Sequence, residues 1–223
     1  MSNKLRVTRR HFLNQLCGFS LTPLMSLNFS YHINQLLLAK TDKIALIYAT
    51  RYGATQDTAT WIKAGLRNDV AIMNIESINF KAVISNYDYF IIGSGIWTGG
   101  VHKKLVEFLS TGSNQLANRV IASFIVCGSS DDTEKGKVRI ANYFTSMHNP
   151  LGYEPQYFNH LGGRIIVEQL SAEDKAALTR FYRKYLNQEL VSWDRTDKNK
   201  AHSYAEKVAK LLSIEGSKRL IVD

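Results

Sequence analysis

The sequence predicts an α/β fold: a doubly wound, five-stranded parallel sheet of order 2-1-3-4-5, with a helical insertion before the last helix. Three observations point there. Apolar runs of strand length alternate with segments of helical period, as repeated βαβ units do. The strands are apolar along their length rather than alternately, the pattern of a sheet covered on both faces. The first and third strands run into loops of glycine and hydroxyl residues, where an open parallel sheet binds its ligands.

Residues 43–49 (KIALIYA) read as the first strand, and residues 55–66 follow with Ala59, Ile62 and Leu66 at helical spacing. Residues 70–75 make the second strand and 80–84 a short helix. The third strand lies in YDYFIIGSGI, from Tyr87, and ends in a glycine loop. Residues 102–109 are helical, with Leu105, Val106 and Leu109 along one side. RVIASFIVCG, residues 119–128, is the fourth strand. Residues 133–147 form a helix with Val138, Ala141 and Phe144 or Tyr143 inward. The fifth strand covers 157–167, interrupted at Gly162 and Gly163. Residues 197–212 close the chain as a helix whose apolar face is Tyr204, Ala205, Val208, Leu211 and Leu212.

Residues 168–199 exceed what five plain βα units need. Ser171 reads as a helix cap, with Asp174 three residues on as the acid that reaches back. Leu178, Phe181, Tyr182 and Tyr185 make an apolar stripe, and Arg180, Arg183 and Lys184 lie off it. Such a helix either packs on its own domain or acts as a lid or docking element for a membrane-borne or hydrophobic partner.

With 223 residues, 45% of them hydrophobic, the chain has enough material for one substantial core. The formal charge is +9, but residues 1–40 hold five bases and no acid. The remainder carries 23 bases against 19 acids, a net +4, which predicts no nucleic-acid footprint. Two cysteines, Cys17 and Cys127, make no disulfide framework. No apolar run reaches the roughly 18 to 20 residues a spanning helix needs. The histidines show no metal-ligand spacing such as H-E-x-x-H, so no metal is expected; His148 and His160 read as turn and strand-end residues.

The sequence organises as residues 1–40, a targeting segment or tail, and 41–223, a folded domain. VTRRHFLNQLC resembles a twin-arginine export signal through Thr8, Arg9, Arg10, Phe12 and Leu13. Asn14 stands where lysine is common, and only Ala39 hints at a cleavage site. The resemblance implies an exported, periplasmic protein. The other placement is cytoplasmic and peripheral to the inner membrane, with the segment as a basic tail or amphipathic tether.

Within KIALIYATRYGATQDTATWI, residues 43–62, the join between strand and helix packs Thr50, Gly53 and Thr55 together. The start of a helix gathers unpaired N–H groups and the positive end of its dipole at one point, which binds phosphate. There is no lysine as in G-x-x-x-x-G-K-[ST], and no G-x-G-x-x-G spacing. Hydroxyls and amides without a cation suit a single phosphomonoester, and FMN is the common ligand of that kind. The candidate residues are Thr50, Arg51, Tyr52, Gly53, Ala54 and Thr55. The plainer alternative is a glycine turn with a threonine cap.

Over most of residues 43–212 the chain resembles the flavodoxin family. Thr50, Gly53 and Thr55 match that family's first loop, while Tyr52 replaces its middle threonine and Gln56 stands where glutamate is frequent. The resemblance implies a flavodoxin-like FMN-binding domain. Its second loop, GSGIWTGGVHK, would meet the flavin ring through Ser94, Gly95, Ile96, Trp97, Thr98 and Gly99. Gly93 and Gly95 would let backbone approach the ring, Gly95 would sit near N5, and Trp97 would stack rather than merely pack. The third loop, CGSSDDTEKG, would flank the ring with the amides of Gly128, Ser129 and Ser130. It has no aromatic residue, which would leave one ring face open to a substrate. Cys127 reads as a small buried residue with no redox role.

The chain looks most like the bacterial quinone-dependent protoporphyrinogen dehydrogenases, through TRYGAT, GSGIWTGGVHKKLVEF and the insertion. That likeness implies an FMN oxidoreductase taking electrons from a protoporphyrinogen-like substrate to a quinone-type acceptor. Arg164, Arg180, Tyr182 and Arg183 would stand beside the flavin; no catalytic residue is assigned. The alternatives are an FMN electron carrier docking to redox proteins, and a scaffold without FMN. Partners would be a quinone or redox protein, with peripheral membrane contact through residues 168–199. Export and oxidation of a haem precursor pull apart, because the latter belongs on the cytoplasmic side.

Overall fold

A computed structural model describes residues 42–66, 69–98 and 100–219. The chain divides into Met1–Lys40 and Thr41–Asp223. The first unit, with the export-signal pattern, lies outside the described residues, as does Gly99.

In chain order the elements are β1 (Ile44–Ala49), α1 (Ala54–Leu66), β2 (Val70–Asn74), α2 (Phe80–Asn86), β3 (Tyr89–Gly95) and α3 (Lys103–Thr111). Then come β4 (Val120–Cys127), α4 (Glu134–His148), β5 (Tyr157–Gly162), β6 (Arg164–Ile165), α5 (Ala172–Phe181), β7 (Trp193–Asp194) and α6 (Lys198–Arg219). The main sheet has the predicted order β2-β1-β3-β4-β5, with every pair parallel.

All of β1 and all of β4 are buried, which is why their sequences are apolar without alternation. The period of two sorts the side chains into two cores. Leu46, Tyr48, Ile91 and Phe124 face α1 and α6, meeting Ile62, Tyr204 and Val208. Ala45, Ile47, Phe90 and Ile125 face the other helices, meeting Val83, Leu105, Phe108 and Phe144. Each of the leucine, isoleucine, valine and phenylalanine side chains among them contributes about 1.5–3 kcal/mol on burial. The helix starts carry matching caps: Asn79 Oδ1 accepts from Ala82 N–H at 3.1 Å and Thr133 Oγ1 from Gly136 N–H at 3.1 Å.

Two sequence expectations need correction. The fifth strand does not continue to residue 167. At Gly162 and Gly163 the chain leaves the main sheet, and Arg164–Ile165 pairs antiparallel with Trp193–Asp194 as a separate ribbon. The glycines permit a close crossing: Gly163 N–H donates to the Cys127 carbonyl at 2.9 Å, and Arg195 N–H donates to the Gly163 carbonyl at 2.9 Å. A Cβ at Gly162 would lie 1.8 Å from the Arg195 oxygen. In α4 the inward stripe is Gly136, Ile140, Phe144 and Met147, whereas Val138 is 58% exposed. Ala141 is exposed as well. Among the described residues no helix is long and apolar enough to cross a membrane.

Candidate functional site

At the carboxyl ends of β1, β3 and β4, where the strand order reverses, a cleft of about 1110 Å3 opens. Its size lies slightly above the usual range of small-molecule sites, roughly 300–1,000 Å3. Three loops and the insertion line it.

The first loop turns on Gly53, whose φ of 85° lies in the left-handed region that favours glycine. Thr50 Oγ1 accepts from Gly53 N–H at 3.0 Å, and Asp57 N–H donates to the Gly53 carbonyl at 3.0 Å as α1 begins. The hydroxyls of Thr50 and Thr55 thus flank a helix N-terminus. Thr50, Arg51, Tyr52, Ala54 and Thr55 line the cleft, and Gly53 shapes the turn without lining it.

The expectation of a loop without a cation is corrected. Arg51 belongs to the loop, and Arg164 reaches it from β6, with its NH2 3.8 Å from the position of a Gly53 Cβ. Both guanidiniums are already matched. Arg164 NH2 lies 2.8 Å from Asp57 Oδ2, and its NH1 lies 3.7 Å from Asp194 Oδ2. Arg51 donates to Asp174 through Nε at 2.7 Å and NH2 at 2.5 Å. Tyr52, which stands where a third hydroxyl was sought, donates its own to Asp174 at 2.5 Å. Burial acts to raise the Asp174 pKa, but the hydrogen bonds from Tyr52 and Arg51 and the Arg51 charge outweigh it and leave it lowered.

The second loop also departs from expectation. Ser94 is fully buried; its hydroxyl donates to the Gly95 carbonyl at 2.9 Å and accepts from His102 N–H at 3.1 Å, closing the loop on itself. Gly93 is small because the Phe124 ring lies against it, with Cζ 2.1 Å from a built Cβ. Gly95 is small because Thr55 Oγ1 stands 2.7 Å from its Cβ position. Gly93 therefore serves the core and Gly95 the seam between two loops. Gly95, Ile96, Trp97 and Thr98 do line the cleft. Trp97 exchanges backbone hydrogen bonds with Gly100 at 3.1 and 3.0 Å. Its ring lies 5.6 Å from that of Tyr52 and 4.7 Å from the Arg51 guanidinium carbon.

The third loop is completed from elsewhere. Gly128 and Ser129 line the cleft whereas Ser130 does not; its hydroxyl bonds the Asp132 carboxylate in the turn before α4. The expectation that no aromatic residue stands at this loop is corrected by Trp193. Its ring carbons lie 2.8 and 2.9 Å from the Cβ that Gly128 lacks. Tyr182 accepts from Trp193 Nε1 at 2.8 Å, and Arg195 NH1 donates to the Gly128 carbonyl at 3.0 Å. Burial pushes the Cys127 thiol up to about 11, against lowering hydrogen bonds at Ser129, so it stays protonated near neutrality. From the insertion, Asp174, Leu178, Phe181, Tyr182 and Trp193 reach the cleft. The sequence reading missed Asp174 and Trp193 as site residues. The acid at the third position of a capped helix and a lone tryptophan in a polar stretch were the available signals.

The donors present suit FMN. Two threonine hydroxyls and the first amides of α1 meet at a glycine turn, as one phosphomonoester needs, and indoles stand at the second and third loops for a flat ring.

Comparison with known proteins bears on this arrangement. No curated protein matches the chain. Among solved structures, the rubredoxin oxygen:oxidoreductase of Desulfovibrio gigas is similar at 13% identity and a TM-score of 0.50, covering 82% of this chain. The alignment takes in only 39% of that protein's length. A flavodoxin, WrbA-like protein from Agrobacterium tumefaciens aligns at 15% identity and a TM-score of 0.44, over 77% of this chain and 98% of that one. Megasphaera elsdenii flavodoxin aligns at 18% and 0.41, over 52% and 84%. At 13% identity the first of these shows likeness of fold alone. The flavodoxin domain family's own profile matches residues 45–189. That is more than half of the sequence, from the first strand into the insertion, so the chain belongs to the flavodoxin domain family, whose cofactor is FMN.

Proposed function

We propose that this chain is an FMN oxidoreductase that passes electrons from a reduced organic substrate, protoporphyrinogen-like, to a quinone-type acceptor. The observation that carries the reading is the insertion. α5, the Tyr182 that follows it and Trp193 line a cleft of about 1110 Å3, in which Leu178, Phe181, Tyr182 and Trp193 form an apolar and aromatic side against which an organic molecule would bind. Bound FMN supplies the electron-transfer chemistry. The residues supply the rest. Thr50, Thr55 and the first amides of α1 would hold the phosphate. Gly95, Gly128 and Ser129 line the cleft, and their backbone would border the ring and tune it by hydrogen bonding. The apolar side chains of α5 exclude water. The likeness of TRYGAT and GSGIWTGGVHKKLVEF to protoporphyrinogen dehydrogenases supports the donor, and the quinone acceptor follows from the same likeness.

A second reading, an FMN electron carrier that docks on redox proteins or at a membrane surface, draws on another observation. Beyond α5, Tyr185 and Val191 are each 60% exposed, beside the exposed Arg183 and Lys184. If the twin-arginine pattern directs export, the donor is a periplasmic compound in place of a haem precursor.

The visible spectrum of the purified protein is the first test. The expected result is a yellow protein, one FMN per chain, reduced anaerobically by protoporphyrinogen and reoxidised by menadione. A colourless protein that takes up no added FMN would overturn the proposal. FMN uptake without either reaction, together with fast exchange with a flavin reductase, would favour the carrier.

A further inference from the structure

We infer that Asp174 is a positioning residue for the cofactor cradle: its carboxylate latches the insertion onto the phosphate loop, so that FMN binding and docking of the insertion strengthen each other. The inference rests on reading residues 50–55 as the seat of the phosphate, and extends it to a segment remote in sequence.

Asp174 is the third residue of α5 after its cap, the position from which an acid usually turns back to its own cap N–H. Ser171 does cap the helix, its Oγ accepting from Asp174 N–H at 3.1 Å. The Asp174 carboxylate, however, is diverted across the cleft. Its Oδ1 accepts from Arg51 NH2 at 2.5 Å, and its Oδ2 accepts from Arg51 Nε at 2.7 Å and from the Tyr52 hydroxyl at 2.5 Å. The cap N–H that the acid abandons is taken up by the phosphate loop itself, for Ser171 N–H donates to Tyr52 Oη at 3.1 Å. Each segment thus completes the other's hydrogen bonding. Asp174 is only 4% exposed, and a buried carboxylate stripped of its partners is strongly unfavourable. The two segments therefore stay joined or separate together.

The latch reaches further than the first loop. Arg51 and Tyr52 are the residues that hold the Trp97 ring, at 4.7 and 5.6 Å. One carboxylate on the insertion thereby fixes two consecutive residues of the first loop and, through them, the indole of the second. Within residues 50–53 the side-chain bond that shapes the turn is the one from Gly53 N–H to Thr50 Oγ1. Holding Arg51 and Tyr52 falls to Asp174. A loop already held presents its donors without the ordering entropy that binding would otherwise have to overcome. Binding free energies are reciprocal, so FMN must favour the docked insertion by the same factor.

The test uses the full chain, Asp174→Asn and Tyr52→Phe, titrated by fluorescence with FMN and with riboflavin, which lacks the phosphate. In Asp174→Asn the affinity for FMN should fall about tenfold more than that for riboflavin, within the range typical of coupled sites. Tyr52→Phe keeps the ring against Trp97 and should show the same bias, more weakly. Trypsin reads the other side of the coupling, because Lys175, Arg180 and Arg183 in the insertion are exposed. FMN should slow cleavage there in the wild type and not in Asp174→Asn. Equal FMN affinity in wild type and variant, an equal loss for both flavins, or no protection by FMN would overturn the latch while leaving the FMN seat standing. A wild type that binds no FMN would overturn both. Should Asp174→Asn fail to fold, Tyr52→Phe carries the same comparison.

Discussion

In the sheet, Leu46, Ile47, Ile91 and Phe124 are wholly removed from solvent; in α5 of the insertion only Asp174 and Leu178 are buried. The first region is held by apolar packing on both faces. The second is held by a few aromatic side chains, by bonds within itself such as Trp193 to Tyr182, and by polar contacts to distant parts of the chain, such as Asp174 to Arg51 and Arg195 to Gly128. Apolar packing is cooperative across a whole domain, whereas a segment with few buried apolar contacts opens at lower free energy than the whole. The cleft thus has a floor of buried strand ends and a cover with few buried apolar contacts, which by this argument should open at lower free energy than the sheet. Under the function proposed above, that division would let the site admit an organic molecule and then shield it.

Breaking the sheet side of this comparison should give the largest effect. Phe124 is fully buried, fills the space left by Gly93 and packs edge-on against Tyr204, with ring centroids 5.8 Å apart. Phe124→Ala should cost about 3–5 kcal/mol and lower Tm by roughly 10 °C for a domain of this size, with loss of helix and of cleft together. A calorimetric scan showing an unchanged Tm would mean that stability lies elsewhere than in the sheet.

Acid should act next, again through the sheet. His148 ends α4, buried, with Nε2 2.8 Å from Ser123 Oγ in β4. Burial pushes its pKa down to about 4. The folded state therefore holds the ring neutral, while the unfolded chain protonates it at about 6.5. The associated stability is complete above about pH 6.5 and is lost as pH falls towards 4, up to about 3 kcal/mol. His148→Gln should flatten that part of a urea-midpoint profile; an identical slope in the variant would exclude His148 as its source.

The same contrast decides what the sequence made legible. Strand order, the turn at Gly53 and the cap at Ser171 rest on interactions between residues a few positions apart, or on burial that shows as apolar runs. Thr50 and Gly53 bond across three residues, so their pattern was readable. The destination of the Asp174 carboxylate was not, because its partners lie 123 and 122 residues away and a capping acid looks alike whether it turns back or crosses a cleft. Nor was the indole at Gly128, which comes from β7 and is signalled locally only by a glycine. The phase of α4 was misread because Gly136, one of its buried positions, carries no hydrophobic signal, while the exposed Val138 does. Packing within an element is written in its own residues; packing between remote ones is not.

The smallest effect on global stability should come from the cover itself. A Cβ at Gly128 would stand 2.8 and 2.9 Å from the Trp193 ring, too close to coexist with it, yet the atoms it meets are the far end of one side chain. Gly128→Ala should therefore displace Trp193 and weaken its 2.8 Å bond to Tyr182, with unfolding free energy changed by less than about 1 kcal/mol, below the usual 1–3 kcal/mol of an overpacked core. Trp193 emission, isolated by difference against Trp193→Phe, should shift to longer wavelength as the indole meets water. Trypsin cleavage in the insertion should quicken while Tm holds. A large fall in Tm with the emission unmoved would reverse the comparison, since Trp193 would then be part of the frame and the insertion would fold and unfold with the sheet.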